Sequence, residues 1–296
     1  MPDDSRQAER PKASVIIPAR NEALGIARAL SSLFRGIASD DLEVIVACDG
    51  CTDRTADVVR GLGLGVRVVE IPPTGKSGAL RAAEALTSTL PRIYLDADVE
   101  VTGSTVLRVV EALNTGAAAA RPPVRFCTEG ASWLVRRYYA ARRRIPSVVG
   151  DLCGAGIYGL SARARARFDD FPEVTADDLF AARIVSSEEV AIVPCEPVRV
   201  TTPRTARALL RILARTYRGN REIRRDWPQL DRRPASRAVS GLLRQLRHPS
   251  AWVDVGVYLG FSLLGRLAAR LSRGGWERDE TSRTAGRPSQ AAGMRG

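Results

Sequence analysis

The chain has 296 residues, 45% of them hydrophobic, and a formal net charge of +12. That length and apolar share suffice for one large domain, or a domain with an appended piece, and exclude wholesale disorder and a disulfide-built miniature fold. Five cysteines (Cys48, Cys51, Cys127, Cys153 and Cys195) are an odd, thinly spread set, which reads as reduced thiols in a cytosolic chain. Cys48 and Cys51 form a Cys-x-x-Cys with no second Cys or His pair nearby to complete a zinc site. Lys12 and Lys76 are the only lysines, so nearly all the positive charge is arginine. Arginine favours phosphates and carboxylates because its planar fork engages two oxygens.

In chain order, Met1 to Lys12 is polar and lacks the apolar stretch of a signal peptide; residues 1–12 are expected to be flexible. Ser14 to Pro18 reads as a buried strand, and Asn21 to Phe34 as an amphipathic helix with Asn21 as its N-cap. Leu42 to Ala47 is a second strand, and Thr52 to Leu62 a second helix capped near Thr52 or Asp53. Val66 to Ile71, the Ala-rich helix Ser77 to Thr87 and the strand Arg92 to Leu95 follow. Strand and helix alternating through short loops predict a parallel sheet with helices on both faces.

Gly116 to Val200 is less regular. Ser132 to Ile145 reads as a helix carrying Arg136, Arg137, Arg142, Arg143 and Arg144 beside Trp133, Tyr138 and Tyr139. Gly154 to Gly159 is Gly-rich, allowing a ligand close to the backbone. Asp177 to Ser186 is helical, and Val190 to Pro194 a further strand. A basic helix over Thr205 to Asp226 precedes a helical stretch around Ala235 to Leu246. The apolar segment Val253 to Leu271 is broken by Asp254 and Arg266. Its uninterrupted part, Val255 to Gly265, is shorter than the ~20 residues a spanning helix needs, so a helix on a membrane surface or packed on the domain is expected. The tail 273–296 reads as disordered.

Open α/β sheets bind ligands beyond the carboxyl ends of their strands. Four polar clusters fall on that rim: Asn21-Glu22, Asp49 to Asp53, Gly75-Lys76-Ser77-Gly78, and Asp96-Ala97-Asp98. Two aspartates one residue apart at a strand end offer hard oxygens to Mg²⁺ or Mn²⁺ and, through the metal, to phosphates. Asp49 could accept from a nucleobase or a ribose while Asp53 caps a helix. Lys76, near a helix N-terminus, is placed for a diphosphate. Asp177 and Asp178 are candidates for proton abstraction. His248 is the only histidine, which excludes a histidine-based triad.

Together, Val15-Ile-Ile-Pro-Ala-Arg-Asn-Glu22, Asp49-Gly-Cys-Thr-Asp-Arg-Thr55, Gly75-Lys-Ser-Gly-Ala-Leu80, Leu95-Asp-Ala-Asp98 and Ala176-Asp-Asp178 resemble the family 2 glycosyltransferases, across about residues 13–200. The resemblance implies the GT-A fold, a Rossmann-like α/β architecture with a mixed, mostly parallel sheet flanked by helices. It implies an inverting transferase that uses a nucleotide-diphospho-sugar and Mg²⁺ or Mn²⁺. By similarity, Pro18, Ala19, Arg20, Asn21, Glu22 and Asp49 line the donor's nucleoside pocket, and Asp96 and Asp98 look like the ribose and metal-diphosphate pair, with Asp98 favoured over Asp96 as metal ligand; Lys76 and Ala97 are expected beside them on the donor. The family's Glu-Asp base motif is Ala-Asp-Asp here. Counting back six residues from Arg183 favours Asp177 as base, and the acidic pair itself favours Asp178. Cys51 stands where the family commonly has Ser.

Arg215 to Asn220 only loosely resembles the Gln-x-x-Arg-Trp element of processive synthases, whose multiple spanning helices are also missing, so transfer of a single sugar is expected. The acceptor hydroxyl could belong to an envelope glycan, a lipid-linked molecule or a secondary metabolite. The expected organisation is a catalytic domain over 13–202 and a basic helical extension over 203–272, cytoplasmic and peripheral on the inner face of the cell membrane. A sugar-phosphate nucleotidyltransferase is the alternative, although Pro18 to Glu22 lacks the Gly-rich loop such enzymes carry after the first strand. Nucleic-acid binding is a remote third reading, because the acidic rim would repel phosphates.

Overall fold

The computed structural model describes residues 11–145, 149–174, 176–230 and 251–271. The expected helix at Ala235 to Leu246, His248, residues 1–10 of the expected flexible N-terminus and the tail 273–296 lie outside the described residues.

The central strands β1 (Ala13–Ala19) and β2 (Leu42–Asp49) are buried almost throughout. Their near-continuous apolar, β-branched sequence is what a strand covered on both faces requires. With β3 (Arg67–Ile71) and β4 (Arg92–Leu95) they form a parallel unit. The sheet then turns mixed. β7 (Ile157–Leu160) lies antiparallel between β4 and β5 (Ala119–Arg121), and β8 (Val190–Ile192) runs parallel to β5. The order across the seven strands is β3-β2-β1-β4-β7-β5-β8, and β6 (Val124–Cys127) pairs with β9 (Val198–Thr201) in a separate two-stranded sheet.

Side chains alternate between two cores, as the strand period demands. Val15, Ile17, Val44, Val46, Ile93 and Leu95 face α1 (Ile26–Leu33), α2 (Thr55–Gly61) and α4 (Gly103–Asn114). Ile16, Ile45, Ala47 and Tyr94 face α3 (Gly75–Glu84) and α7 (Asp177–Ile184) on the other side; the short α6 (Ala162–Arg165) adds Ala164 there. A third core joins α5 (Trp133–Arg142) to α8 (Ala206–Asp226) and α9 (Trp252–Leu271) through Val135, Tyr138, Tyr139, Leu209, Leu213 and Phe261.

Three expectations are corrected. Asn21 does not cap α1, which begins at Ile26 behind Gly25. Asn21 adopts a left-handed conformation (φ 51°), which Asn tolerates better than most residues. Its side-chain oxygen is already engaged by the Thr52 and Asp53 amides. The cap position of α2 is Arg54, while Asp53 stands one residue further out and accepts from the Thr55 amide at 3.0 Å. A whole helix, α4, stands where none was expected; its Val106, Val109, Val110 and Leu113 are buried at helical spacing, and the Thr102 hydroxyl accepts from the Thr105 amide.

α9 is continuous over 20 residues and, by length and composition alone, long and apolar enough to cross a membrane. A third of that stretch is buried against the protein, and its Asp254 is buried and paired with Arg137 at 3.3 Å and Arg144 at 3.1 Å. Leu259, Leu263, Leu264 and Leu267 are exposed on the opposite side.

Candidate active site

The carboxyl ends of β1, β2 and β4 bring the predicted clusters together. Pro18 and Ala19 end β1 in the core. The Asn21 side-chain oxygen accepts from Thr52 at 2.6 Å and its amide donates to Cys51 Sγ at 3.3 Å, while the Glu22 amide donates to Thr55 Oγ1 at 2.7 Å. Loop β1–α1 is thereby tied to loop β2–α2. A Cβ at Gly25 would stand 3.6 Å from Asp98 Cβ and 3.7 Å from Glu22 Oε2, so the segment after β1 packs directly on the Asp98 loop.

Asp49 is fully buried. Its carboxylate accepts from the Thr74 amide at 2.6 Å and the Gly75 amide at 3.1 Å, with Arg20 at 3.4 Å. Its charge is compensated within the chain, and it clasps the loop that leads into α3.

Lys76 occupies the first turn of α3, and Thr74 holds the N-cap position. The sequence placed Lys76 for a diphosphate. In the structure it bridges two carboxylates: Nζ lies 2.8 Å from Asp96 Oδ1 and 2.7 Å from Asp177 Oδ1. Burial opposes the ammonium charge, but Asp177 and Asp96 outweigh it and hold Lys76 protonated. Ala97 is buried between a half-open Asp96 and an exposed Asp98, the alternation expected of the triplet. The Asp96 amide donates to the Gly156 carbonyl at 2.8 Å, fastening the triplet to the loop before β7.

The neighbouring aspartates of α7 differ. Asp177 is buried, with Lys76 on one oxygen and Tyr158 Oη donating to the other at 3.0 Å. Asp178 has no cationic partner among the ion pairs of the described residues; its Oδ2 accepts from the Gly154 amide at 3.0 Å. Burial, reinforced by the charge of Asp177, pushes its carboxyl up to about 6. That is the range for a proton acceptor working near neutrality. Tyr158 and the Gly154 amide were not foreseen as site groups, although the Gly-rich run had marked the segment for close approach. The cysteines, Cys48 and Cys51 included, are free thiols.

A doubly wound sheet with acidic and amide-rich loops on one rim, a mixed far half and a carboxylate pair opposite defines the GT-A class of glycosyltransferase. The model of glycosyl transferase family 2 matches residues 14–169, and the chain belongs to that family. No curated protein matches the chain. Among solved structures, the mannosyltransferase PcManGT from Pyrobaculum calidifontis, in complex with GDP-Man and Mn²⁺, is similar at 19% identity and TM-score 0.57, over 88% of this chain and 74% of that one. TarS 1-349 of S. aureus is similar at 14% identity and TM-score 0.51, over 86% and 91%. Glucosyl-3-phosphoglycerate synthase from Mycobacterium tuberculosis, in complex with Mn²⁺, UDP and glucosyl-3-phosphoglycerate, is similar at 21% identity and TM-score 0.50, over 78% and 81%. At these identities the likeness is one of fold.

Proposed function

We propose that this glycosyltransferase moves a single sugar, with inversion, from a nucleotide-diphospho-sugar to an acceptor hydroxyl, with Asp178 as the base. The observation that carries the proposal is the contrast within the acidic pair. Asp177 is held between Lys76 and Tyr158, whereas Asp178 keeps a raised proton affinity and, among the described residues, accepts from the Gly154 and Leu179 amides. Asp178 takes the proton as the acceptor oxygen attacks. Lys76 and Tyr158 fix Asp177, and the Asp177 charge keeps Asp178 basic. A single base and direct displacement imply inversion at the sugar carbon.

On the donor side, Pro18, Ala19, Arg20, Asn21 and Glu22 border the nucleoside, and Asp49 acts through the loop it clasps. Lys76, Asp96 and Ala97 form the floor under the diphosphate. Among the described residues no group of three or more His, Cys, Asp or Glu converges as a metal cage. Asp98, with the Asp96 oxygen not taken by Lys76, offers two hard ligands, which fits Mg²⁺ or Mn²⁺ completed by phosphate oxygens. When bound, the ion neutralises charge on the departing nucleotide diphosphate. The GDP-Man and Mn²⁺ of the P. calidifontis enzyme and the UDP and Mn²⁺ of the M. tuberculosis enzyme support both assignments.

Residues 13–202 form the catalytic domain and 203–272 an extension that lays α9 on the inner face of the cell membrane, with the protein cytoplasmic and the acceptor an envelope glycan, a lipid-linked molecule or a secondary metabolite. The apolar outer side of α9 supports this.

The test is a thermal-shift panel of UDP-, GDP- and dTDP-sugars with and without Mn²⁺. One donor should stabilise the protein only when the metal is present, and Asp98→Ala should remove that shift and the transfer activity while the protein stays folded. Undiminished turnover in Asp98→Ala would refute the metal assignment.

A further inference from the structure

Arg142 ends α5, and its half-buried guanidinium has no carboxylate partner among the described residues. Its Nε is sealed from solvent and has no hydrogen-bond partner. Nη1 reaches only Tyr138 Oη, at 3.5 Å, and the guanidinium carbon stands 5.7 Å from the centre of the Phe126 ring. Among the ion pairs of the described residues none involves Arg142. Arg92 also has a sealed Nε without a partner, but its Nη1 lies 3.9 Å from Glu84 Oε1; two further inward arginines are engaged throughout. Arg165 grips Glu84 with both arms at 2.8 and 2.7 Å. Arg121 donates to the carbonyls of Asp151, Pro122 and Val149 at 2.7, 2.8 and 2.7 Å. A shielded cation without a counter-ion is costly, and an incoming anion relieves that cost.

The location says which anion. A Cβ at Gly154 would lie 3.5 Å from Arg142 Nη2, and Gly154 has φ +81°, so the space beside the guanidinium is kept free of a side chain. The amide of the same Gly154 donates to Asp178. Two residues on, Gly156 faces Asp96, whose Oδ2 would stand 3.2 Å from a Cβ there. The loop thus runs from Arg142 and Asp178 at one end to the diphosphate floor at the other. An anion at Arg142 sits on the acceptor's side. Arg121 holds the preceding turn of this loop with all three guanidinium nitrogens on backbone carbonyls, which leaves Arg142 to meet the anion. The Arg142 fork can engage two oxygens of a phosphate monoester, whose double charge gains more from a shielded cation than a single carboxylate does.

We infer that Arg142 binds a phosphate carried by the acceptor, so the acceptor is a phosphorylated molecule whose hydroxyl is presented to Asp178. The second half rests on the proposed role of Asp178; the binding of phosphate at Arg142 does not. The test therefore omits donor and metal. Methyl phosphate is titrated by calorimetry into the full chain, wild type, Arg142→Met and Arg142→Lys. The wild type should bind, Arg142→Met should bind about tenfold more weakly or worse, and Arg142→Lys should fall between, because it keeps the charge but loses the fork. Equal affinity in wild type and Arg142→Met, or no binding by the wild type, would overturn the inference. If Arg142→Met does not fold, an affinity of Arg142→Lys equal to wild type overturns it in the same way. In a second arm, phosphatidylcholine vesicles with and without phosphatidic acid compete for methyl phosphate binding. Displacement only by the phosphatidic acid vesicles assigns the phosphate to a lipid, and no displacement assigns it to a soluble phosphate ester.

Discussion

Lys76 is the electrostatic hinge of the site, because one ammonium serves both Asp96 and Asp177. Lys76→Met should cost about 2–3 kcal/mol in urea denaturation, below the usual loss for a buried pair because Asp96 is half open to solvent; an unchanged midpoint would show that the bridge contributes nothing. At Asp178 the signs run differently. Its carboxyl sits at about 6 against the ordinary value of 3.8, so the folded state binds this proton more tightly than the unfolded chain. Ionised Asp178 therefore costs stability above pH 6, and the cost is relieved as pH falls from 6 towards 3.8. As a base it works only when ionised, so kcat/KM should rise through about pH 6 and level off above it. Asp178→Asn should lower transfer by about 10²–10⁴ yet raise stability at pH 7.5 by about 1–2 kcal/mol, a shift of this size being discounted for partial solvent access. Wild-type turnover, or a lower melting temperature, in that variant would sink the assignment. The sequence named both aspartates as candidate bases and could not separate them. What separates them is Tyr158 and Lys76, on β7 and α3, and no local pattern encodes contacts of that range.

Among the elements, legibility tracked burial chemistry. β1, β2 and β4 announce themselves as β-branched apolar runs, and the loops after them follow from the parallel-sheet rule. β5 is Ala119-Ala120-Arg121, three residues of helix-favouring composition that become a strand only because β7 and β8 flank them. β7 is short and contains Gly159, where a Cβ would meet Leu113 Cδ1 at 2.6 Å and Ile93 Cδ1 at 2.7 Å; the close packing of α4 that demands glycine also weakens the strand's own signal. The spacing of Val106, Val109, Val110 and Leu113 is the sign by which α4 can be read. The loop before β7 carries a sharper consequence. Gly156 has φ +66°, and a Cβ there would stand 2.5 Å from Val99 Cγ2. Gly156→Ala should therefore lose about 1–3 kcal/mol and, by displacing the carbonyl that holds the Asp96 amide, reduce kcat/KM more than Ala substitution at exposed Gly116. A fully active, equally stable Gly156→Ala would show that this loop does not position the triplet.

On the scale of the whole molecule, charge and apolar surface are distributed together. α5 turns Val135, Tyr138 and Tyr139 into the third core and leaves Trp133, Leu134, Arg136 and Arg143 exposed. α9 buries Val255, Phe261 and Ala269 and exposes Trp252, Leu259, Leu263, Leu264 and Leu267, with Arg266 and Arg270 exposed near its end. An apolar stripe with arginines beside it is the pattern of a helix lying in an anionic interface. The pairing of Asp254 with Arg137 and Arg144 ties its inward face to the domain. Each arginine near such a surface contributes about 1 kcal/mol, screened by salt. The chain should therefore cosediment with phosphatidylcholine vesicles containing phosphatidylglycerol at low salt, less at high salt, and weakly with phosphatidylcholine alone. Leu263 and Leu264 are 60% and 52% exposed, so Leu263→Asp with Leu264→Asp should leave the melting temperature within about 2 °C, as expected of surface changes. The same pair should cut vesicle binding at least about tenfold, because two large apolar contacts are replaced by charges that the lipid repels. Full recovery of the wild type in the supernatant, or undiminished sedimentation of the double variant, would remove the membrane from the account and leave α9 as a helix that braces α5 and, through it, Arg142.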